Sequence, residues 1–227
     1  TYMSVLTNEQ KVEILSEIVA IPSVNDNELA VAQYLAQWLN QYDIDTHIDY
    51  ISGQRANLIA TIGSGKPVVA VSGHMDVVNE GNHDDWTSPP FELTERNGHL
   101  YGRGAADMKS GLAALVIAMI EIKASGQLKN GTIKLLATAG EEMEQAGSEQ
   151  LYRKGYMDDV DALVIAEPSY PSIVYAHKGS MDIKITSKGR SSHSSTPFMG
   201  ENAITPLIEL IQNINPVSYT HLRAHET

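Results

Sequence analysis

The residues of this sequence that could do chemistry follow apolar segments that we predict to be strands, or precede a predicted helix. They are His74, Asp76, Asp107, Glu141, Glu142 and Glu167. In parallel α/β sheets, ligands bind outside the carboxyl ends of the strands, so we expect these side chains to gather at one edge. Carboxylates packed together repel one another unless cations neutralise them. The six residues therefore predict a cation site built from imidazole and carboxylate groups.

Each of these residues also has an ordinary explanation. His74 can be a hydrogen-bonded residue at a strand end, and Glu141 and Glu142 can be first-turn carboxylates that complement a helix dipole. Glu167 can be a solvated loop residue. A cation site is favoured because all of these residues occur together at predicted strand ends or before a predicted helix. Because the chain has no cysteine, thiolate ligands are excluded, and Zn²⁺, Mn²⁺ or Co²⁺ suit the remaining ligand set.

The turn that carries Asp107 is rich in glycine. Residues 102–111 read Gly-Arg-Gly-Ala-Ala-Asp-Met-Lys-Ser-Gly, which begins like a dinucleotide-binding fingerprint. Asp107 replaces the third glycine, however, and would repel a pyrophosphate. Alternatively, Asp107 caps the helix predicted over 109–123. A second segment, 63–66, lacks the upstream glycine of a P-loop and precedes Pro67, so nucleotide binding is disfavoured.

Composition limits the possible partners and compartments. The 227 residues are 42% hydrophobic, enough for a sizeable core, and the formal net charge is −12. This charge disfavours nucleic acid and anionic membrane as main partners. The absence of cysteine excludes disulfides and thiol catalysis. We find no signal peptide and no apolar run of membrane-spanning length, so the expected location is cytoplasmic.

Hydrophobic periodicity predicts alternating helices and strands. The first helix is opened by a capping box at Thr7 and ended by Pro22. Further predicted helices cover 27–41, 109–123, 148–154 and 203–214, and predicted strands cover 45–51, 57–62, 68–72, 132–138, 161–166, 173–176 and 180–187. Strands separated by helices are typical of an α/β fold with a mostly parallel sheet flanked by helices.

The pattern changes near His177, where alternating apolar and polar residues predict an antiparallel strand with one solvated face. We therefore predict a first domain over 1–176 and the start of a smaller α+β domain over 177–215. Residues 216–227 have no clear periodicity and are predicted to form a separate tail.

Four motifs occur along the chain in a fixed order. They are His74-x-Asp76, Gly104-Ala105-Ala106-Asp107-Met108-Lys109-x-Gly111, Gly140-Glu141-Glu142 and Glu167-Pro168. In this combination the sequence resembles the co-catalytic dizinc deacylase and carboxypeptidase family, which includes acetylornithine deacetylase and succinyl-diaminopimelate desuccinylase. The resemblance runs from about Glu9 to Ile214. It implies a zinc-peptidase-like catalytic domain, followed by the start of an inserted lid and dimerisation domain.

The resemblance also implies a role for each metal ligand. Asp107 would bridge two Zn²⁺ ions, for which Co²⁺ or Mn²⁺ can substitute. His74 and Glu167 would complete the first site, and Glu142 would bind the second ion.

Three further residues receive catalytic roles by resemblance. Glu141 would be the general base that takes the proton of a zinc-activated bridging water. Asp76 would hold the imidazole of His74 and fix its tautomer. His193, in the lid segment, would stabilise the tetrahedral oxyanion, often in the active site of the partner subunit.

The implied function is hydrolysis of the amide bond of an N-acyl amino acid, of the deacetylase or desuccinylase type used in amino-acid biosynthesis. The alternatives are a metallo-dipeptidase or carboxypeptidase of the same family, and an inactive binding protein on the same scaffold. The expected partners are a small N-acyl amino acid or short peptide and a second copy of the chain, bound through the lid domain.

The sequence departs from the family pattern in its last part. The late histidine that completes the second zinc site has no counterpart, and the resemblance fades after about Asn215. We therefore expect an N-terminal portion of such an enzyme, with an incomplete second metal site and little or no turnover by this chain alone.

Overall fold

The computed structural model describes residues 4–169, 172–176, 179 and 183–223, with side chains in the last helix described as far as residue 214. The chain divides into two units, Thr1–Ile173 and Val174–Thr227. The expected roles of 1–176 as a catalytic domain, 177–215 as a lid and 216–227 as a tail stay predictions.

The first unit contains four α-helices, one short 3-10 helix (His83–Asp85) and seven strands among its described residues. The helices are α1 (Asn8–Ala20), α2 (Glu28–Gln41), α3 (Lys109–Ser125) and α4 (Ala146–Arg153). The strands are β1 (Thr46–Ser52), β2 (Arg55–Ser64), β3 (Val68–His74), β4 (Thr94–Arg96), β5 (His99–Tyr101), β6 (Gly131–Thr138) and β7 (Ala162–Ile165). Most of these elements were predicted within a few residues, and the capping box at Thr7 is confirmed.

The main sheet has the strand order β1-β2-β6-β3-β7. The α/β class is confirmed, but the sheet is mixed rather than mostly parallel. β3 is parallel to both β6 and β7, whereas the β1–β2 and β2–β6 pairs are antiparallel. For the β1–β2 pair the reason is local, because only Gly53 and Gln54 separate the two strands, and so short a connection can only join antiparallel neighbours.

The sheet is covered by helices on its two faces. Buried residues of α1, α2 and α3 pack with Leu58 and Ala60 of β2 in the larger core cluster. Ile59, between them, belongs to a smaller cluster with Leu151 of α4. The alternation follows from the two-residue period of a strand. The central strands are therefore fixed from both sides, which gives their carboxyl ends a rigid support.

A small hairpin lies in the region that we predicted to be loop-like. β4 and β5 pair in antiparallel fashion across Asn97 and Gly98. Both turn residues have positive φ, 53° and 76°, as a tight hairpin turn requires. The Asn-Gly pair is a recognised hairpin signal that could have predicted these strands.

The second unit differs from its prediction. Described residues of the predicted strands 173–176 and 180–187 form no strand, while residues 177 and 180–182 lie outside the described part of the chain. The helix α5 (Ile204–Arg223) confirms the predicted helix but continues through Pro216, where we expected the tail to begin. An isolated bridge pairs Arg190 with Glu201. A short segment with alternating apolar and polar residues does not form a strand unless a partner strand pairs with it.

Two glycines allow close packing beside the turn that carries Asp107. Gly104 has φ +80°, and a Cβ there would lie 2.6 Å from Cγ1 of Val77. A Cβ on Gly111, in α3, would lie 2.2 Å from the carbonyl oxygen of Ala166. Only glycine permits these approaches. The approach at Gly111 brings the start of α3 against Ala166, which lies between β7 and Glu167.

None of the helices in the described part of the chain combines the length and the apolar character needed to cross a membrane.

Candidate metal centre

The site forms where three parallel strands end at the same edge of the sheet. His74 is the last residue of β3 and pairs with Thr138 at the end of β6, while β7 lies on the other side of β3. Glu141 and Glu142 follow β6, and Glu167 follows β7. The predicted gathering of these side chains at one edge is confirmed.

His74 is almost completely buried, and its two ring nitrogens have different surroundings. Nδ1 lies 2.9 Å from the backbone carbonyl oxygen of Asp76. A carbonyl only accepts, so Nδ1 carries the proton in this contact. In the neutral ring, Nε2 then presents its lone pair to the edge of the sheet, which is the state that binds metal.

Carboxylates surround this Nε2 atom. The distances from Nε2 are 3.2 Å to Oδ1 of Asp107, 3.5 Å to Oε1 of Glu167 and 3.8 Å to Oε2 of Glu141. The three carboxylate side chains are half exposed while the imidazole is buried. A ring nitrogen at the base of an open acidic cluster is thus available to a cation arriving from solvent.

The same atoms form two overlapping groups of possible ligands. His74, Glu141 and Glu167 offer atoms within 4.8 Å of one another, and so do His74, Asp107 and Glu142. Nitrogen and carboxylate oxygens are suitable ligands for Zn²⁺ and similar divalent ions. The residues present therefore fit the cation site that the sequence predicted.

Asp107 does not cap α3, so that alternative is wrong. Met108 occupies the N-cap position, and no side chain bonds to the first turn. The turn is held instead by backbone, with Lys109 N–H donating to the Gly104 carbonyl at 2.9 Å. The carboxylate of Asp107 is thereby directed towards His74.

Asp76 contacts the imidazole differently from the expectation. Its backbone carbonyl accepts the Nδ1 proton, while the nearer carboxylate oxygen lies 3.6 Å from Nδ1, beyond a normal hydrogen bond. The carboxylate accepts hydrogen bonds from the backbone N–H groups of Glu141, at 3.1 Å, and Glu142, at 3.0 Å. The family resemblance implied that the side chain of Asp76 would hold the ring, but its carboxylate is bonded to the loop that follows β6.

Comparison with known proteins identifies the family. Residues 70–221 match the model of peptidase family M20/M25/M40, which is more than half of the chain. The chain belongs to this family. The matched region contains all six residues of the site and extends past residue 215, where we expected the resemblance to end.

The relatives with curated names point to one type of enzyme. A probable succinyl-diaminopimelate desuccinylase of Staphylococcus epidermidis is 52% identical over 224 residues, which cover 99% of this chain and 55% of the relative. A succinyl-diaminopimelate desuccinylase of Wolbachia pipientis is 30% identical over 218 residues, covering 92% and 55%. The M20-family chain thus spans about half the length of the curated relatives it matches.

Solved structures of the family share the fold. Human carnosine dipeptidase 1 is 30% identical, with a TM-score of 0.55 over 69% of this chain and 38% of that one. A tripeptidase of Staphylococcus aureus is 22% identical, with a TM-score of 0.61 over 91% and 56%. The helix-flanked mixed sheet described above is therefore the M20 catalytic-domain fold.

Burial and mutual repulsion shift the pKa values of the M20 cluster. Burial, together with the charges of Asp107 and Glu141, raises the pKa of Glu167 to about 7, although His74 opposes the shift. Burial and Asp107 also raise the pKa of Glu142. Burial by itself lowers the pKa of His74, but the nearby carboxylates outweigh it and the net shift is upward. The cluster is thus short of positive charge, which a bound divalent cation would supply.

These shifts predict that the metal-free chain loses stability as pH rises from about 4.5 to about 7. Glu167 releases its proton near its ordinary pKa of 4.5 when unfolded but near pH 7 when folded. Between these values the folded state binds more protons, so its stability falls with rising pH. His74 acts in the same direction, but only as pH rises above its ordinary pKa of 6.5, because its folded pKa is also raised. The buried amine of Lys109 acts oppositely above pH 7, since its pKa is lowered from 10.5 to about 7.

Urea unfolding midpoints measured in a chelator between pH 4.5 and 9 would test this expectation. We expect a minimum near pH 7 and a smaller decline in the Glu167→Gln variant. Added Zn²⁺ should reverse the decline, because metal binds the deprotonated ligands. A midpoint that rises steadily from pH 4.5 to 7 without metal would contradict the assigned charges.

Three charged residues beneath the M20 site, Lys109, Arg55 and Glu28, had no predicted role. The buried amine of Lys109 donates to the carbonyls of Ile18 (2.6 Å) and Ile21 (2.8 Å), and so ties α3 to the end of α1. Arg55 lies 3.6 Å from the fully buried carboxylate of Glu28 and packs against Gly140. Lys109 lies inside one of the four motifs and Glu28 opens α2, and both side chains are buried in the fold. These positions were the signal in the sequence that could have indicated structural roles for the two residues.

His193 belongs to the second unit and is exposed there. Its Nδ1 lies 2.7 Å from the hydroxyl oxygen of Ser195 and accepts a longer hydrogen bond from the Ser195 N–H, at 3.2 Å. These local contacts leave Nε2 uninvolved in the turn. The catalytic role of His193 stays a prediction.

Proposed function

We propose that this chain provides the metal-binding part of an enzyme that hydrolyses the amide bond of an N-succinyl amino acid of the diaminopimelate type. The observation that carries the proposal is the convergence of carboxylates from three chain segments on the Nε2 atom of His74. The names of the curated relatives support the proposed substrate class.

The proposed ligands are His74, Asp107, Glu142 and Glu167. Asp107 stands nearest to Nε2, at 3.2 Å, and belongs to the same ligand group as Glu142, which supports its role as a bridge between two ions. Zn²⁺ is the proposed native metal, and Co²⁺ or Mn²⁺ can substitute because they accept the same nitrogen and oxygen ligands. We further propose that the second site lacks one protein ligand in this chain.

When bound, the divalent cations supply Lewis acidity that acidifies water and polarises the substrate carbonyl. Glu141 accepts a proton from the attacking water through its exposed carboxylate. As the C–N bond breaks, the same residue delivers this proton to the leaving nitrogen. His74 stays neutral, with its Nδ1 proton held by the Asp76 carbonyl.

The second unit contributes the remaining proposed features. His193 donates a hydrogen bond to the developing oxyanion, and two copies of the protein pair through the segment 177–215. The proposed location is cytoplasmic, and the proposed substrate is a small acylated amino acid rather than a nucleic acid or a membrane. The negative charge of the chain supports the last point.

A dipeptidase is the second candidate. It is favoured by the human carnosine dipeptidase 1 structure, which is 30% identical to this chain over the region compared. The two candidates differ in the acyl group and in the amine that is released, whereas both reactions break an amide bond with water.

A substrate panel would decide between them. The chain would be assayed alone and joined to the part of the Staphylococcus epidermidis relative that the match leaves uncovered. We expect the joined, zinc-loaded protein to hydrolyse N-succinyl-diaminopimelate in preference to N-acetylornithine and β-alanyl-histidine, and the chain alone to show little turnover. A joined protein that binds zinc and folds but cleaves only the dipeptide would favour the dipeptidase instead.

A further inference from the structure

A single buried carboxylate holds the turn that carries both site glutamates. Asp76 is fully buried, and its two oxygens accept from consecutive backbone N–H groups. Oδ1 accepts from Glu141 at 3.1 Å and Oδ2 from Glu142 at 3.0 Å. Both contacts have ordinary hydrogen-bond lengths, and both have a charged acceptor, which strengthens them.

The contact between Asp76 and the imidazole does not need this side chain. The Nδ1 atom of His74 bonds to the backbone carbonyl of residue 76, and every amino acid at that position would offer the same oxygen. The side-chain oxygen nearest to the ring is 3.6 Å away. The hydrogen bonds that the two carboxylate oxygens accept come from a different part of the site.

The surroundings of the carboxylate make this arrangement rigid. An ionised carboxylate removed from water must be compensated by hydrogen bonds and opposite charge. The two turn N–H groups provide the hydrogen bonds, and the buried amine of Lys109 interacts favourably with its charge. The Arg55 guanidinium fills the space beside Gly140, which directly precedes the turn and has φ +73°. The Asp76 carboxylate and the Arg55 guanidinium therefore both pack against this segment.

We infer that the side chain of Asp76 is a positioning residue for the Glu141–Glu142 turn, and not chiefly a clamp on the His74 ring. Its carboxylate holds the backbone of Glu141, the proposed base, and of Glu142, the proposed ligand of the second metal, in position. Through its backbone it sets the ring of the first ligand. This inference rests on the proposed function for the roles of the two glutamates, but its geometric part does not.

Amide hydrogen exchange of the metal-free chain tests the geometric part. In Asp76→Ala, the amides of Glu141 and Glu142 should exchange at least about tenfold faster, the ratio that corresponds to the loss of an ordinary hydrogen bond. In Asp76→Asn, one oxygen remains, so only one of the two amides should accelerate. The matched control is Asp49→Ala, which removes a buried aspartate bonded to Lys154 and Gln150 and should leave both amides unchanged.

Unchanged exchange at both amides in a folded Asp76→Ala or Asp76→Asn variant would overturn the inference. If the alanine variant does not fold, the asparagine variant alone decides. A chain that binds no metal but shows the expected exchange would overturn the proposed function and leave the positioning role in place. The two failures are therefore distinguishable.

A double-mutant cycle tests the route to the metal. We expect Asp76→Asn to weaken Zn²⁺ binding about 10- to 100-fold, as loss of a group that orients a ligand does. The effect should largely disappear in a Glu142→Gln background if the carboxylate acts through the turn. An effect of the same size in both backgrounds would show that it acts through His74 and would overturn the inference.

Discussion

Replacing Glu141 with glutamine is expected to lower the turnover of the succinyl amide about a hundred- to ten-thousand-fold, while Zn²⁺ binding stays nearly unchanged. Glutamine keeps the size of the side chain and removes its capacity to accept a proton. The carboxylate of Glu141 lies 3.8 Å from Nε2 of His74 and is 48% exposed, so it is open to water and substrate. Its backbone N–H remains bonded to Asp76 in the variant.

The measurement is kcat for the zinc-loaded joined protein, together with its metal content. Glu144→Gln is the matched control, because Glu144 is an exposed glutamate of the same loop and should change kcat less than about twofold. Full activity in Glu141→Gln would reject the general-base role. Loss of metal along with activity would make Glu141 a ligand instead, since its oxygen also falls within one of the two ligand groups.

Replacing Asp107 with alanine should have the largest effect on metal affinity. Its carboxylate is the nearest to Nε2 of His74, and as the proposed bridge it serves both ions. We expect the affinity for Zn²⁺ to fall more than about 100-fold, beyond the effect of losing a group that only orients a ligand. Titration of the chain against a chromophoric chelator would measure the loss.

The fold of this variant should be preserved. Asp107 does not cap α3, and an exposed polar substitution usually changes the free energy of unfolding by less than about 0.5 kcal/mol. In the metal-free chain the change should lower the pKa of Glu167, because Asp107 is one of the charges that raise it. Asp84→Ala, at an exposed aspartate, is the control and should leave zinc affinity unchanged. Two tightly bound ions in Asp107→Ala would contradict the bridge.

The gathering of the site could be predicted because it depends on short stretches of sequence. Buried strands were recognised by their apolar runs, and the residue that follows such a run lies at the strand end whatever the rest of the fold does. His74 and Glu167 were found in this way. Parallel pairing of β3 with β6 and β7 then brought His74 and Glu167 together. Asp107 was assigned to the same site from the order of the motifs along the chain.

The parts that could not be predicted depend on contacts between distant segments. Nothing near Asp76 in the sequence indicates that its carboxylate accepts from a loop 65 residues later. The antiparallel pairing of β2 with β6 is likewise a long-range contact between strands that are not consecutive along the chain. In the second unit, alternation predicted a strand, but a strand needs a neighbour to pair with, and the sequence pattern does not supply one.

The most direct test of the account is a crystal structure of the chain grown with Zn²⁺, with anomalous scattering recorded at the zinc edge. We predict an anomalous peak about 2.0–2.2 Å from Nε2 of His74 and from an oxygen of Asp107 or Glu167. A second, weaker peak is expected beside Glu142. A zinc-loaded crystal with no peak at this edge of the sheet, or with zinc bound only elsewhere, would contradict it.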